Sequence, residues 1–297
     1  MKERYGAGAE KLTLQLIDQQ SVIAFLEWLE SGRGCSVSTR NARMAALHSF
    51  FRYLQYRHPV QMYEWQRILS IPVKKTANPS VNYLSIESVS LLLAQPNQQT
   101  PRGKRDLALL SLMYDSAARV QEMIDLSPSC IGFNRPYTVK LLGKGQKQRI
   151  VPLMENQISL LRDYMAANRL IEPYAASYPL FCNNRHERLT RMGITLILKK
   201  YVQKAAAITP ALFPEKVTPH VLRHSKAMHL LQAGVNIVYI RDFLGHTSVS
   251  TTETYARADT KMKREALEKA YVDLGQKPED PRWLKNAELL EWLKQLK

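Results

Sequence analysis

Residues 137–153 constrain the fold most sharply. YTVKLL, the turn GKGQK and QRIVPL interrupt a chain that otherwise runs in helical periods, and glycines bound the reversal. This pattern predicts a small antiparallel sheet, between Ile131 and Pro152, in an otherwise helical domain. Lys144 sits at the hairpin tip. The fold class that follows is mainly α with a small antiparallel sheet (α+β).

On either side of the hairpin the periodicity is helical. Asp18 is placed to cap a helix with apolar Val22, Phe25, Leu26 and Leu29, ended by Gly32 and Gly34. A second helix begins near Ser38, with Ala42, Ala45, Phe50 and Leu54 on its packing face and Arg40, Arg43, His48 and Arg52 among its cations. Such a face suits a DNA groove, and equally a solvated basic surface. A short helix around MYEWQRILS leads into IPVKKTANPSVN, where prolines and small polar residues replace the helical period. The expected organisation is therefore a helical unit over 1–72, a linker over 73–82, and a second unit over 83–297. Lys74 and Lys75 of the linker are candidates to lie along a phosphate backbone.

In the second domain Ser85 is a predicted cap, and GKRDLALLSLMYDSAARVQEMIDL is helical, continuous or broken near Ala117. After the hairpin come the helix ENQISLLRDYMAANRL, a short strand and turn in PLFCNNRHE, and a helix from Thr190 that carries Arg191, a further DNA-binding candidate. The last helix, WLKNAELLEWLKQL, has an apolar stripe that must pack on its own domain or on a neighbouring subunit.

Composition narrows the partner. Lys and Arg exceed Asp and Glu by 16 over 297 residues, spread along the chain rather than beside an apolar anchor, which favours nucleic acid over membrane. Three distant cysteines without CxxC spacing argue against a disulfide framework or zinc cluster and fit a reducing cytoplasm. GKGQK lacks the GKS or GKT ending of a phosphate loop, and no acidic cluster suits Mg²⁺, so neither cofactor nor metal is expected.

Breaking a DNA strand without metal takes a nucleophile, cations around the nonbridging oxygens and an acid for the departing 5′ oxygen. The sequence offers Tyr255, Arg119, Arg223, His220, His246 and Lys144, with Lys147 competing for the acid's role. Of fourteen tyrosines, Tyr255 lies nine residues after a Gly-His pair, unlike Tyr239 or Tyr271. His224, four residues after His220, reads as a packed helix histidine rather than a metal ligand, and so does His229.

Five segments carry a resemblance to the tyrosine recombinase (phage integrase and Xer-like) family: AARVQEMIDL, LLGKGQKQRIVPL, TPHVLRH, LGH and STTETYAR. The resemblance covers the catalytic domain and, more loosely, residues 12–70, which look like the family's SAM-like core-binding domain, the two domains clamping DNA. It implies that Tyr255 attacks the scissile phosphate to give a 3′-phosphotyrosyl bond, that Arg119 and Arg223 hold the nonbridging oxygens, and that Lys144 protonates the leaving oxygen. His220 and His246 would assist proton transfer. It also implies double-stranded DNA as partner, with a homotetramer on synapsed sites. The chain departs from the family in reading Ser116-Ala117 where a Thr-Gly pair is usual, and in a short polar lead where a further helix is common. Two alternatives stand beside recombination: a DNA-binding protein of the same fold with impaired catalysis, and a type IB topoisomerase-like relaxing enzyme.

Overall fold

The computed structural model describes residues 13–76 and 81–258. The C-terminal helix expected over WLKNAELLEWLKQL and the centre of the linker lie outside these residues. The chain divides into two compact units, Met1–Pro79 and Ser80–Lys297.

Among its described residues the first unit has three α-helices: α1 (Gln19–Ser31), α2 (Val37–Arg57) and α3 (Met62–Leu69). The Asp18 side chain accepts from the Ser21 amide while Ser21 Oγ meets the Asp18 amide, a reciprocal cap that fixes the start of α1. Ser36 caps α2, two residues ahead of the expected Ser38. Val22, Leu26, Leu29, Met44, Phe51, Leu54, Trp65, Ile68 and Ile71 form the core, with Phe51 stacked on Trp65 at 5.3 Å between ring centroids. The packing face of α2 differs from the sequence expectation. Ala42, Ala45 and Phe50 are exposed, and Arg40, Met44, Phe51 and Leu54 point inward. The helix carries apolar residues on several sides, so its periodicity alone left the inward face ambiguous, and the partner surface around Trp65 selects it.

The second unit surrounds a three-stranded antiparallel sheet, β1 (Ile131–Gly132), β2 (Thr138–Leu142) and β3 (Gln148–Pro152), in the order β1-β2-β3. The hairpin registers Val139 with Val151 and Leu141 with Arg149, so Val139, Leu141 and Val151 face the core. Its tip is a 3-10 turn at Lys144–Gln146 in which Gly145 has φ 75°, a conformation glycine enters without steric cost. PLFCNNRHE makes a single bridge, Cys182 to Arg188, in place of the expected short strand.

Eight helices of this unit are described: α4 (Ile86–Leu93), α5 (Pro101–Asp115), α6 (Val120–Asp125), α7 (Glu155–Ala167), α8 (Arg191–Ile208), α9 (Pro219–Gln232), α10 (Ile237–Leu244) and α11 (Val249–Ala258). The main core runs from Leu84 and α5 through the sheet to α7, α8 and the start of α9. A second cluster gathers Ala117, Ala227, Met228, Leu231, Ile240, Leu244 and Tyr255, and so joins the α5–α6 turn to α9, α10 and α11.

The long helical stretch after Pro101 breaks at Ala117, which has φ 47° and is fully buried. Left-handed backbone costs a residue with a Cβ about 1–2 kcal/mol, while a buried methyl returns about 0.8 kcal/mol. Ala117→Gly should therefore be close to neutral, within about 0.5 kcal/mol, because relieved strain offsets the lost methyl and the added chain entropy. Ala117→Val, β-branched at positive φ in a packed cluster, should cost more than about 2 kcal/mol. Urea unfolding of both variants checks the pair; equal losses would mean that the turn carries no left-handed strain.

Candidate active site

Helix α9 supplies the centre of the site. Thr218 and Pro219 start it, and its inward face buries Leu222, Arg223, Ser225, Ala227 and Met228. Arg223 is 4% exposed, and its guanidinium donates to the Ala117 carbonyl and the Leu244 carbonyl, both at 2.5 Å. Those carbonyls close the α5–α6 turn and the end of α10. The arginine thus fastens together two segments that flank it far apart in sequence. Burial, then the neighbouring charges of Arg119 and Arg149, pushes its pKa down to about 9. The group stays protonated at neutral pH, a desolvated cation poised for an anion.

Arg119 precedes α6. Its backbone amide donates to Glu122 Oε2 at 2.8 Å, its Nη1 to Glu122 Oε1 at 2.8 Å, and its Nη2 to the Gly245 carbonyl at 3.2 Å. Glu122 is buried and also takes both terminal nitrogens of Arg149, at 2.6 and 2.7 Å. The two-residue period of β3 turns Arg149 to the same face as Val151, and its Nε reaches the Phe243 carbonyl at 3.1 Å. Burial alone would raise the Glu122 carboxyl, but hydrogen bonding and charge from Arg149, then Arg119, hold it below the usual carboxylate range.

Helix α10 ends at Gly245, whose φ of 65° lets the His246 amide return to the Arg241 carbonyl at 3.0 Å. That turn explains the Leu-Gly-His run and sets His246 Nδ1 3.0 Å from Thr252 Oγ1. Burial first, then Arg223, Arg119 and Arg149, pushes the His246 imidazole down to about 4, so it is neutral at physiological pH. Arg119, Arg149, Lys147, Gly245, His246 and Thr251 line one open depression. Lys144 begins the turn at the hairpin tip; its side chain is outside the described set.

Tyr255 lies on α11 at 4% exposure, within the apolar cluster that includes Ala117. Its hydroxyl is 2.8 Å from His224 Nδ1. Burial raises the phenol above its ordinary pKa, and Arg223 and Arg119 pull against that rise. His224 and His229 are both half-buried helix histidines held by a tyrosine: His224 packs against Tyr255, and His229 Nδ1 lies 2.8 Å from Tyr114 Oη. His220 is exposed one helical turn before His224, their rings 6.4 Å apart.

The structure thus brings Arg119, Arg223, His246 and Tyr255 into one region and adds Glu122, Arg149 and Thr252, which the sequence did not single out, and His224, which it read as a packed helix histidine. Glu122 and Arg149 both lie inside segments that carried the resemblance, and the three-residue spacing of Arg119 and Glu122 is that of a helix-start carboxylate. Their mutual pairing spans 27 residues and leaves no local signature.

The DNA-binding candidates fare unequally. Arg40 is 6% exposed and donates to the Pro72 carbonyl at 3.3 Å and to Asn41 Oδ1, so it is withdrawn from the exposed cationic face of α2. Lys74 pairs with Glu30 at 2.5 Å. Arg43 and Lys75 are exposed, and Arg191, at the first turn of α8, donates to Gln121 Oε1 at 3.0 Å. Among the described residues no helix is long and apolar enough to cross a membrane.

An arginine-lined depression and a buried tyrosine that shares Arg119 with it, on a helical unit with a small sheet, offer the cations and the phenol that chemistry on a phosphate ester would use. Residues 82–262 match the Phage integrase family and residues 3–58 match the Phage integrase, N-terminal SAM-like domain. The chain belongs to the phage integrase family, and it is a site-specific tyrosine recombinase, a DNA-binding enzyme that breaks and rejoins DNA. It is 38% identical over 260 residues to the candidate integrase/recombinase y4rC of Sinorhizobium fredii, covering 87% of this chain and 77% of that protein. It is 35% identical to the tyrosine recombinase XerC of Roseiflexus castenholzii, over 80% of this chain and 74% of the other. Among solved structures, the XerH site-specific recombinase in a post-cleavage complex with palindromic difH substrate aligns with a TM-score of 0.71 and 25% identity, over 86% of this chain and 73% of that one.

Proposed function

We propose that Tyr255 is the nucleophile that attacks the scissile phosphate, giving a 3′-phosphotyrosyl bond and a free 5′-hydroxyl. Arg119 and Arg223 hold the nonbridging oxygens as charge develops, His246 and His220 hydrogen-bond the phosphate and assist proton transfer, and Lys144 protonates the departing 5′ oxygen. The single observation that carries this reading is the convergence of three guanidiniums, Arg119, Arg149 and Arg223, around one buried carboxylate, with Tyr255 close enough to feel Arg223 and Arg119. Such a cluster carries more positive than negative charge and is stabilised by a bound phosphate diester. Because the ester's energy is retained in the tyrosyl bond, a partner strand's 5′-hydroxyl reseals the DNA without ATP.

Double-stranded DNA is held by exposed cations, Arg43, Lys75 and Arg191 among them, and two sites are synapsed by a homotetramer in the cytoplasm, at the nucleoid. Ala117, the departure that would favour a catalytically silent protein, keeps the left-handed turn and still offers its carbonyl to Arg223. The test uses a nicked duplex carrying the sequence that the full chain selects from a randomised pool. A covalent protein–DNA adduct should form and map by peptide sequencing to Tyr255. Relaxation of any supercoiled plasmid, with no preferred site, would support the topoisomerase-like alternative instead.

A further inference from the structure

We propose that His224 is a further catalytic residue, whose Nδ1 accepts the phenolic proton of Tyr255 as the bond from Oη to phosphorus forms. The inference rests on Tyr255 being the nucleophile and assigns the step that the arginines cannot perform. A phenol ionises near pH 10 in water, and burial lifts Tyr255 higher, so about one molecule in a thousand or fewer carries a phenolate at neutral pH. Proton removal by a positioned base answers this, and a side chain in that role contributes about 10²–10⁴-fold.

The geometry selects His224. Its Nδ1 lies 2.8 Å from Tyr255 Oη, within proton-transfer distance. The His224 ring lies 5.6 Å from the Tyr255 ring and 6.4 Å from the His220 ring, centroid to centroid, while the adjacent Arg223 is anchored at two backbone carbonyls. Around His224 stand His220 and Arg223 from α9, His246 from the turn before α11, and Tyr255 from α11 itself. Burial, then the charges of His220 and Arg223, lowers its pKa, which keeps the imidazole neutral and able to accept.

The step balances without any further reagent. The Oη–phosphorus bond forms, the bond from phosphorus to the 5′ oxygen breaks, the phenolic proton goes to Nδ1, and the acid Lys144 supplies the proton that the 5′ oxygen takes. On rejoining, the incoming 5′-hydroxyl gives its proton back to Lys144 as its oxygen bonds to phosphorus, the phosphorus–Oη bond breaks, and Tyr255 recovers its proton from His224.

Single-turnover cleavage of the nicked selected duplex tests the assignment. His224→Gln keeps a polar side chain at the position but cannot take the proton. It should slow adduct formation by about 10²–10⁴-fold while binding the same duplex normally. The wild-type rate should rise with pH through the imidazole range, and that limb should be missing in the variant. A fluorinated tyrosine at 255, which ionises more readily, should recover part of the loss. A merely structural histidine would leave the pH profile unmoved, so His224→Gln with the wild-type limb overturns the proposal. So does a variant that cleaves as fast as, or faster than, the wild type, since His224 would then only restrain the tyrosine. Should His224→Gln not fold, the wild-type chain with fluorinated Tyr255 decides alone: retention of the histidine limb supports the base, and a limb that shifts with the phenol's own ionisation overturns it. Absence of any adduct from the wild-type chain would instead defeat the nucleophile assignment, and the base with it.

Discussion

Tyr255→Phe is expected to abolish covalent attachment to DNA while leaving duplex binding within about twofold and the fold intact. The change removes one oxygen from a side chain that is 4% exposed, so the surface that meets DNA is unaltered. Its structural cost is one hydrogen bond to His224, about 0.5–1.5 kcal/mol net. A unit of this size should lose at most a few degrees in melting temperature, about 2–4 °C per kcal/mol. Chemistry, by contrast, has no substitute oxygen in place, because the loss is of the bond-forming atom itself. Denaturing gels on the nicked duplex, with circular dichroism melting beside them, separate the two effects. An adduct that persists in the Phe variant would transfer the role to another tyrosine, and Tyr239, 71% exposed on α10, is the first to examine.

Glu122→Ala should be the most destabilising single change near the site. Its carboxylate holds Arg149, whose side chain is 10% exposed, by both terminal nitrogens, and Arg119 by side chain and backbone. Removing one partner of a buried ion pair costs about 3–5 kcal/mol, since the remaining charge stays desolvated and unpaired. Cleavage should fall at least about 100-fold in the fraction that folds, because Arg119 loses its anchor. Glu122→Gln should sit between wild type and Ala. The pH dependence has a definite sign. The folded-state pKa of Glu122 is depressed, so its stabilisation is fully present above the unfolded carboxylate pKa of about 4.3 and is lost as pH falls through the lower folded value. The gap between wild type and Glu122→Gln in urea unfolding should be constant from neutral pH down to about 5 and narrow below about 4. A gap independent of pH would mean that the carboxylate's charge contributes nothing.

Much of this was legible in the chain. The alternation about GKGQK located the hairpin, and Asp18, Ser85 and Thr190 marked helix starts, because caps and reversals are set by neighbours in sequence. The inward face of α2 is not legible locally because Phe50 and Phe51 are equally apolar, and the choice between them is made by Trp65 on another helix. Arg40 looked like a surface cation for the same reason: nothing local announces that Pro72 will accept from it. The contact of His224 with Tyr255 has no local signature, because the two lie 31 residues apart and meet only when α11 folds against α9. Motif spacing marks the groups proposed to face the phosphate, whereas those proposed to orient or deprotonate them emerge only from packing.

Arg223 joins the Ala117 carbonyl, 106 residues before it, to the Leu244 carbonyl, 21 residues after it. Closing loops of that length comes late, since their entropy is lost before any contact compensates it. A nascent or half-folded chain is already cationic and drawn to DNA, yet it has no assembled centre with which to cut. Competence to break a strand is thereby coupled to completion of the fold, and an incomplete molecule is a bystander on DNA rather than a source of nicks.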